Sequence, residues 1–414
     1  MKKYSSVTGL KTYASPNKKL EHIAVCLILI VIFLNPFPHT TFWDQLFFYA
    51  AILPMIAMVR NKHNDFFYKT PLLYPLALFL FWAAISVVFA LDKPDSAHDL
   101  YSHLIRYLIF YLIIINLFGT RKRLLLLAFC VVLSELVFAV GGLILYYGIL
   151  DYDIVSRLFL EFKAIATDTV PFGFMFGLFL AMWLFKICQN RYQRALLAMA
   201  ILILTTSTIA TQSRGAFWAL CISLVVQLWA HKKILSLLAI GIVLTIVLNP
   251  MQKRILERHF DDNPRKALIL YSLEIIKDYP VLGTGFSIDT FRNPDFIDKE
   301  AYKSQIPEKY RNNRFDRPHN MFLSMATRTG IIGMLLYAGL FAVCIFICCR
   351  LILYGQDLFI QSLSRCCLAI LTMLLVNGVL QVITTHFVDT IQFILFALVT
   401  VIWKINKENL AAAA

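Results

Sequence analysis

Three polar residues stand where apolar runs give way to polar loops, and their types fit the handling of an anionic leaving group. Arg214 lies in Thr211-Gln212-Ser213-Arg214-Gly215, at the start of an apolar run. Thr211 or Ser213 can cap the helix that follows, because a hydroxyl oxygen there accepts from the orphan N–H groups of the first turn. A guanidinium beside those amides suits a phosphate, since its forked donors add to the helix dipole. An interfacial arginine that snorkels to lipid headgroups would satisfy the same pattern. Arg265 opens a second helix, after the start signal Asp262-Asn263-Pro264. A cation in a first turn opposes the dipole, and a bound anion would offset that cost. A solvated surface arginine beside Lys266 is the alternative. His319, in Arg317-Pro318-His319-Asn320, is expected at the start of another apolar run, with Pro318 setting its first turn. The dipole there disfavours an imidazolium, so a neutral imidazole able to act as general base for a hydroxyl is expected. A capping or interfacial histidine remains the other reading.

A second rank of residues could share such a site. Arg106 and Arg328 lie inside apolar runs, and Arg317 lies beside His319. An ionisable group within a membrane segment is a functional candidate, although it can instead pair with buried carbonyls or headgroups. Arg328 follows His319 by nine helical steps of about 100° each, which turns it to roughly the opposite face. His386 and Asp389, near the last polar loop, belong to no motif. The sequence has no HExxH or GxSxG motif, no phosphate-binding glycine loop and no paired hydrolase carboxylates. Asp261-Asp262 alone is a weak metal signal. A metal-independent site of arginine and histidine, with no cofactor, is therefore expected.

The elements that must position these residues are apolar helices. Of 414 residues 59% are hydrophobic and only 15% charged, against about 25% charged in a soluble domain. That excludes an ordinary soluble enzyme and a disordered chain, and it implies an all-α, polytopic membrane protein. Runs long enough to cross a bilayer fall at about 20–34, 42–59, 71–91, 99–118, 124–147, 170–188, 195–211, 215–230, 234–249, 320–349, 363–383 and 389–404, giving about twelve spans. The first run is expected to be retained, since Asn35-Pro36-Phe37-Pro38 offers no small-residue cleavage site. The net charge of +14 comes from short clusters on alternate loops, 20 lysines and arginines on one side against four on the other. The positive-inside rule then puts both termini in the cytoplasm and the one long polar segment outside. Residues 1–249 are thus read as nine spans, 250–319 as an outer loop domain, and 320–410 as three more spans with a tail. No basic face with interleaved aromatics argues for nucleic acid. The nine cysteines lie in or beside apolar runs and read as small buried hydrophobes. Tyr302, Tyr310 and Phe315 of the long segment could stack on sugars or pack the loop's own core.

In order and spacing, several short motifs resemble the O-antigen ligase family, part of the O-antigen ligase/polymerase group of bacterial membrane glycosyltransferases. They are Thr211-Gln212-Ser213-Arg214-Gly215, Arg265 at a helix start, Asp278-Tyr279-Pro280-Val281-Leu282-Gly283-Thr284-Gly285-Phe286, Pro318-His319-Asn320-Met321-Phe322-Leu323, and Gly330-Ile331-Ile332-Gly333. The profile of twelve spans with one large loop before the tenth matches over nearly the whole chain. The resemblance implies a helical fold like that of C-type glycosyltransferases. It implies an O-antigen polysaccharide on undecaprenyl pyrophosphate as donor and a sugar hydroxyl of lipid A–core as acceptor. The reaction would invert the anomeric carbon, need no metal, and take place among membrane lipids on the periplasmic side of a Gram-negative inner membrane. By the same resemblance Arg214 and Arg265 would bind the pyrophosphate and His319 would be the catalytic base. An O-antigen polymerase and a protein O-oligosaccharyltransferase share these motifs. A transporter with Arg106 and Arg328 along an anion path is the non-enzymatic alternative, though no inverted repeat supports it. On this reading, glycan transfer by the purified protein persists undiminished in EDTA, and loss of activity on chelation would reject metal independence.

Overall fold

The computed structural model describes residues 18–60, 66–153, 156–158, 169–229, 264–380 and 385–413. They are helical, with no strand among them. The expected ninth span, 234–249, and Asp261-Asp262 lie outside the described residues. In chain order the helices are α1 Lys18–Leu34, α2 Thr41–Arg60, α3 Leu73–Val88, α4 Lys93–Leu117, α5 Arg121–Ile149, α6 Val170–Ile187, α7 Arg191–Ala210 and α8 Arg214–Leu228. The long segment contributes α9 Pro264–Asp278, α10 Lys299–Ser304 and α11 Glu308–Arg311, and the chain ends in α12 Met321–Tyr354, α13 Leu358–Leu380 and α14 His386–Ala413. Eight of these are long and apolar enough to cross a membrane: α2, α4, α5, α6, α7, α12, α13 and α14. The apolar helices α3 and α8 are shorter, and α1 has 17 residues. Each of the eleven described helices among these matches one expected span.

Burial sorts the bundle. The apolar window of α14 is 89% buried, whereas those of α2 and α7 are 22% buried. A helix apolar on all sides belongs inside, and α14 packs against α4, α12 and α13. The outer helices turn exposed apolar side chains such as Leu53, Ile56 and Leu202 away from the protein, as lipid contact requires. Helix starts are set by side-chain caps on the orphan amides: Thr120 for α5, Asn190 for α7, Ser213 for α8 and Asn320 for α12. The junctions alternate between two faces. On one face Arg123 pairs with Glu21 at 2.5 Å and Arg121 with Asp357. The other carries the long segment together with the α3–α4 and α7–α8 junctions, where Leu91 N donates to Thr284 O at 3.0 Å and Arg157 Nε to Thr211 O at 2.9 Å.

Two boundaries that bear on the site differ from the sequence reading. The fourth helix begins at Lys93 rather than near residue 99, because Asp92 caps it and Pro94 suits its first turn. Its two polar opening turns dock the long segment: Asp99 Oδ2 accepts from Ile288 N at 2.7 Å and Ser96 Oγ from Ser287 N at 3.2 Å. In α12 the cap is Asn320, whose Oδ1 accepts from the amides of Phe322 and Leu323. Pro318 therefore lies before the helix, not in its first turn, and His319 is the residue immediately ahead of the cap.

The most consequential local feature is a break in α12 at Gly330, which has φ 72° and ψ 179°. Ile331 N, displaced from its helical acceptor, donates to Pro280 O at 2.8 Å, while Thr284 N and Gly285 N donate to the carbonyls of Thr327 and Arg328 at 2.9 and 3.0 Å. Trp82 Nε1 donates to Thr329 O at 2.9 Å. The amide of Ile331 and the carbonyls of Thr327, Arg328 and Thr329 thus all find partners across the break, as buried backbone must. A Cβ at Gly330 would stand 1.9 Å from Val281 O, and one at Gly283 (φ 69°) 2.4 Å from Arg328 O. Gly330→Ala should therefore cost about 3 kcal/mol or more, through both backbone strain and collision. A drop in the thermal unfolding midpoint of purified protein, with earlier proteolysis in the long segment, is the expected outcome.

Candidate functional site

Arg214 is the first residue of α8, directly after the Ser213 cap, whose Oγ accepts from Ala216 N at 3.4 Å. Of the two capping residues the sequence allowed, Ser213 takes the role, and Thr211 Oγ1 turns back to Thr208 O at 2.7 Å. Gln212 adopts a left-handed conformation (φ 48°) that makes the tight reversal from α7 into α8. Close to Arg214, Gly215 packs on the end of α13: a Cβ there would lie 3.2 Å from Asn377 Oδ1 and 3.3 Å from Leu380 Cβ. The same end of α13 receives the segment that carries His319, for Asn320 Nδ2 donates to Val379 O at 3.2 Å. The starts of α8 and α12 therefore meet one turn of α13.

Arg265 lies in the first turn of α9, and the expected apolar face is present, with Leu268, Tyr271 and Ile275 buried. This helix packs against α12. Its far end enters the Pro280–Phe286 junction with the Gly330 break, and its middle is tied to the approach to His319 by Tyr271, whose ring lies 4.5 Å from that of Phe315. Tyr302, Tyr310 and Phe315 are buried with Ala267, Phe291 and Ile297 in a small core of the long segment. Of the two roles the sequence left open for these aromatics, core packing holds. Burial pushes the Tyr271 hydroxyl's pKa up, aided by Asp298 and Glu300. It does the same for Tyr302, whose hydroxyl donates to Asp278 Oδ2 at 2.7 Å.

The second-rank arginines have different fates. Arg106 is buried and paired with Asp44, with its guanidinium carbon 5.2 Å from the centre of the Phe48 ring. Arg317 lies 3.4 Å from Asp289 Oδ1, half-buried. Arg328 is 3% exposed. Its Nε donates to Phe286 O at 2.8 Å, its Nη2 reaches the same carbonyl, and its guanidinium lies 4.2 Å from the centre of the Phe286 ring. Its Nη1 has no partner among the described residues.

Arg328 borders a cavity of about 40 Å³ beneath the start of α12, which it shares with His103, Met321, Phe286 and Asp389. His103 went unnoticed in the sequence because it is a lone histidine in an apolar run; its i, i+3 spacing to Arg106 was the available hint. His103 Nδ1 lies 2.6 Å from Asp389 Oδ2. The His386 ring stacks on that of His103 at 4.3 Å with 6° between planes. His103, His386 and Asp389 each offer one ligand atom within 4.8 Å of the others and could hold a metal ion. The parallel rings and the hydrogen-bond spacing of His103 and Asp389 fit a dyad better, since ligands to one ion point toward a common centre.

Residues 198–338 match a protein family model described as O-antigen ligase. No curated protein matches the chain. The matched segment contains Arg214, Arg265, His319 and the Gly330 break.

Because two guanidinium nitrogens hold one carbonyl, Arg328→Lys should loosen the Phe286 junction and cost about 1.5–3 kcal/mol. Faster limited proteolysis between residues 279 and 319, with retained helical circular dichroism, is the measurement that checks it.

Proposed function

We propose, from the match of residues 198–338 to the O-antigen ligase family model, that the chain is a member of that family and joins a finished polysaccharide to lipid A–core. The donor is the polysaccharide on undecaprenyl pyrophosphate, and the acceptor is a sugar hydroxyl of the core. In the transfer, the hydroxyl oxygen attacks the anomeric carbon as the bond to the pyrophosphate oxygen breaks. The configuration inverts, the acceptor proton passes to His319, and undecaprenyl pyrophosphate departs. Arg214 and Arg265 receive the charge that develops on the leaving group, which is the moment when fixed cationic donors act most strongly. The reaction belongs to the periplasmic side of a Gram-negative inner membrane, with the long segment periplasmic and both termini cytoplasmic.

One observation carries this reading. The capped start of α8, with Arg214 as its first residue, and the capped start of α12, preceded by His319, adjoin the same turn of α13. Helix N-termini favour anions through their orphan amides and dipoles, and a neutral imidazole at such a place is a fitting acceptor for a hydroxyl proton. Apolar surface between the spans suits the polyprenyl chain, and the alternating faces suit a reaction at one rim of the bilayer.

His319→Ala should leave a folded membrane protein whose transfer rate falls by about 10²–10⁴. Arg214→Ala and Arg265→Ala should each lower it by about 10²–10³, with Lys a poor substitute because the fork is lost. Lipopolysaccharide ladders on gels check both, and ladders of normal intensity from the His319 variant would remove it as the base. A deletion strain separates the acceptor classes. Loss of a ligase strands long polysaccharide on undecaprenyl pyrophosphate, while loss of a polymerase leaves single repeats on core.

A further inference from the structure

The cavity beneath the start of α12 contains polar groups that the transfer step above does not use. Arg328 is 97% buried, yet Nη1 has no partner among the described residues. A buried donor in that state calls for an acceptor entering the cavity. His103, which lines the same cavity, sits in a π-helical turn, Tyr101–Ile105, a device found mostly where a helix is locally re-aimed for function. His103 Nδ1 and Asp389 Oδ2 are 2.6 Å apart; because a carboxylate only accepts, Nδ1 is assigned as the donor, which leaves the lone pair on Nε2. The His386 stack holds the ring plane. The cavity lining thus presents both an acceptor and a donor.

Charge and size narrow the ligand. The charges of Asp99 and Asp389 offset that of Arg328, with Arg317 opposing them, and a phosphate in the cavity would meet the Asp389 carboxylate. A volume of about 40 Å³ has room for one or two water-sized groups, too little for a diphosphate or a sugar ring. The remaining walls combine apolar groups, among them Phe286, Met321 and Met325, with Tyr337 and Gln392, which are hydrogen-bonded to each other at 2.9 Å. Met321 follows His319 by two residues, at most about 7 Å along the chain.

We infer that this cavity is a specificity subsite for the acceptor glycan. A non-reacting hydroxyl or hydroxymethyl arm of the acceptor enters it, donates to His103 Nε2 and accepts from Arg328 Nη1, while the reacting hydroxyl faces His319. The inference rests on the proposed transferase reading. Asp389 is a positioning residue that acts through His103.

The test uses full-length protein in nanodiscs, with undecaprenyl pyrophosphate-linked polysaccharide as donor and lipid A–core purified from a strain lacking this protein as acceptor. His103→Gln should raise the acceptor KM about tenfold, the effect of one lost hydrogen bond. Donor KM and kcat should stay within about twofold. Asp389→Asn should shift the acceptor KM in the same direction and less, and it carries the test if His103→Gln does not fold. An unchanged acceptor KM in folded variants would overturn the inference. So would a fall in kcat at constant KM, which would make the dyad the proton acceptor, or a stoichiometric divalent metal in the wild type that His103→Gln loses. If the wild-type protein transfers nothing to lipid A–core, the reading and the inference fall together; if it transfers normally and only the KM pattern is absent, the inference alone falls.

Discussion

A broken turn at Gly330 holds the long segment to the bundle. A continuous helix would consume the carbonyls of Thr327, Arg328 and Thr329 internally and leave the Pro280–Phe286 turn without these backbone partners. With φ at 72°, those carbonyls turn outward to Thr284, Gly285 and Trp82, and Ile331 N turns to Pro280. In an apolar bundle each unpaired amide or carbonyl is costly, so break and turn require each other. The pair of glycines is needed because two backbones approach more closely than a Cβ allows. Two of the motifs read separately in the sequence, 278–286 and 330–333, are thus the two halves of one junction.

That junction determines what surrounds the candidate site. It fixes Phe286 above Arg328, closes the cavity that His103 and Asp389 line, and orients α9 along α12. The opening turns of α4 brace the residues that follow this turn, Ser287 and Ile288, through Ser96 and Asp99. Residues from α4, the long segment, α12 and α14 therefore converge although more than 280 positions separate His103 from Asp389.

Elsewhere the bundle interior manages its polar groups individually. Arg106 is matched by Asp44 from α2, so a buried cation that resembled a conduit residue is part of a local pair. Glu135 of α5 lies against α6, where Gly173 and Gly177 leave room for it; a Cβ at Gly173 would meet its carboxyl oxygen at 2.4 Å. Its Oε2 has no partner among the described residues. An intramembrane carboxyl of this kind is rare and costly, and small residues on the facing helix are what admit it.

The helices were legible in the sequence because a bilayer demands apolar runs of fixed length, a constraint local to each segment. The alternation of basic clusters, a cap at Thr211 or Ser213, the amphipathic face of α9 and the turn at Gly283–Gly285 are local in the same sense, and Arg214, Arg265 and His319 could be singled out from their places at or beside helix starts. The tertiary structure alone decided which polar groups meet. Nothing in a lone His103 reveals that Asp389 lies 2.6 Å away, nor in Arg328 that Phe286 O takes two of its nitrogens, nor in Tyr302, Tyr310 and Phe315 that they pack on one another rather than face a glycan. Local pattern sets where a chain becomes a helix, whereas partners distant in sequence are selected only when packing removes water and leaves each buried donor to find an acceptor.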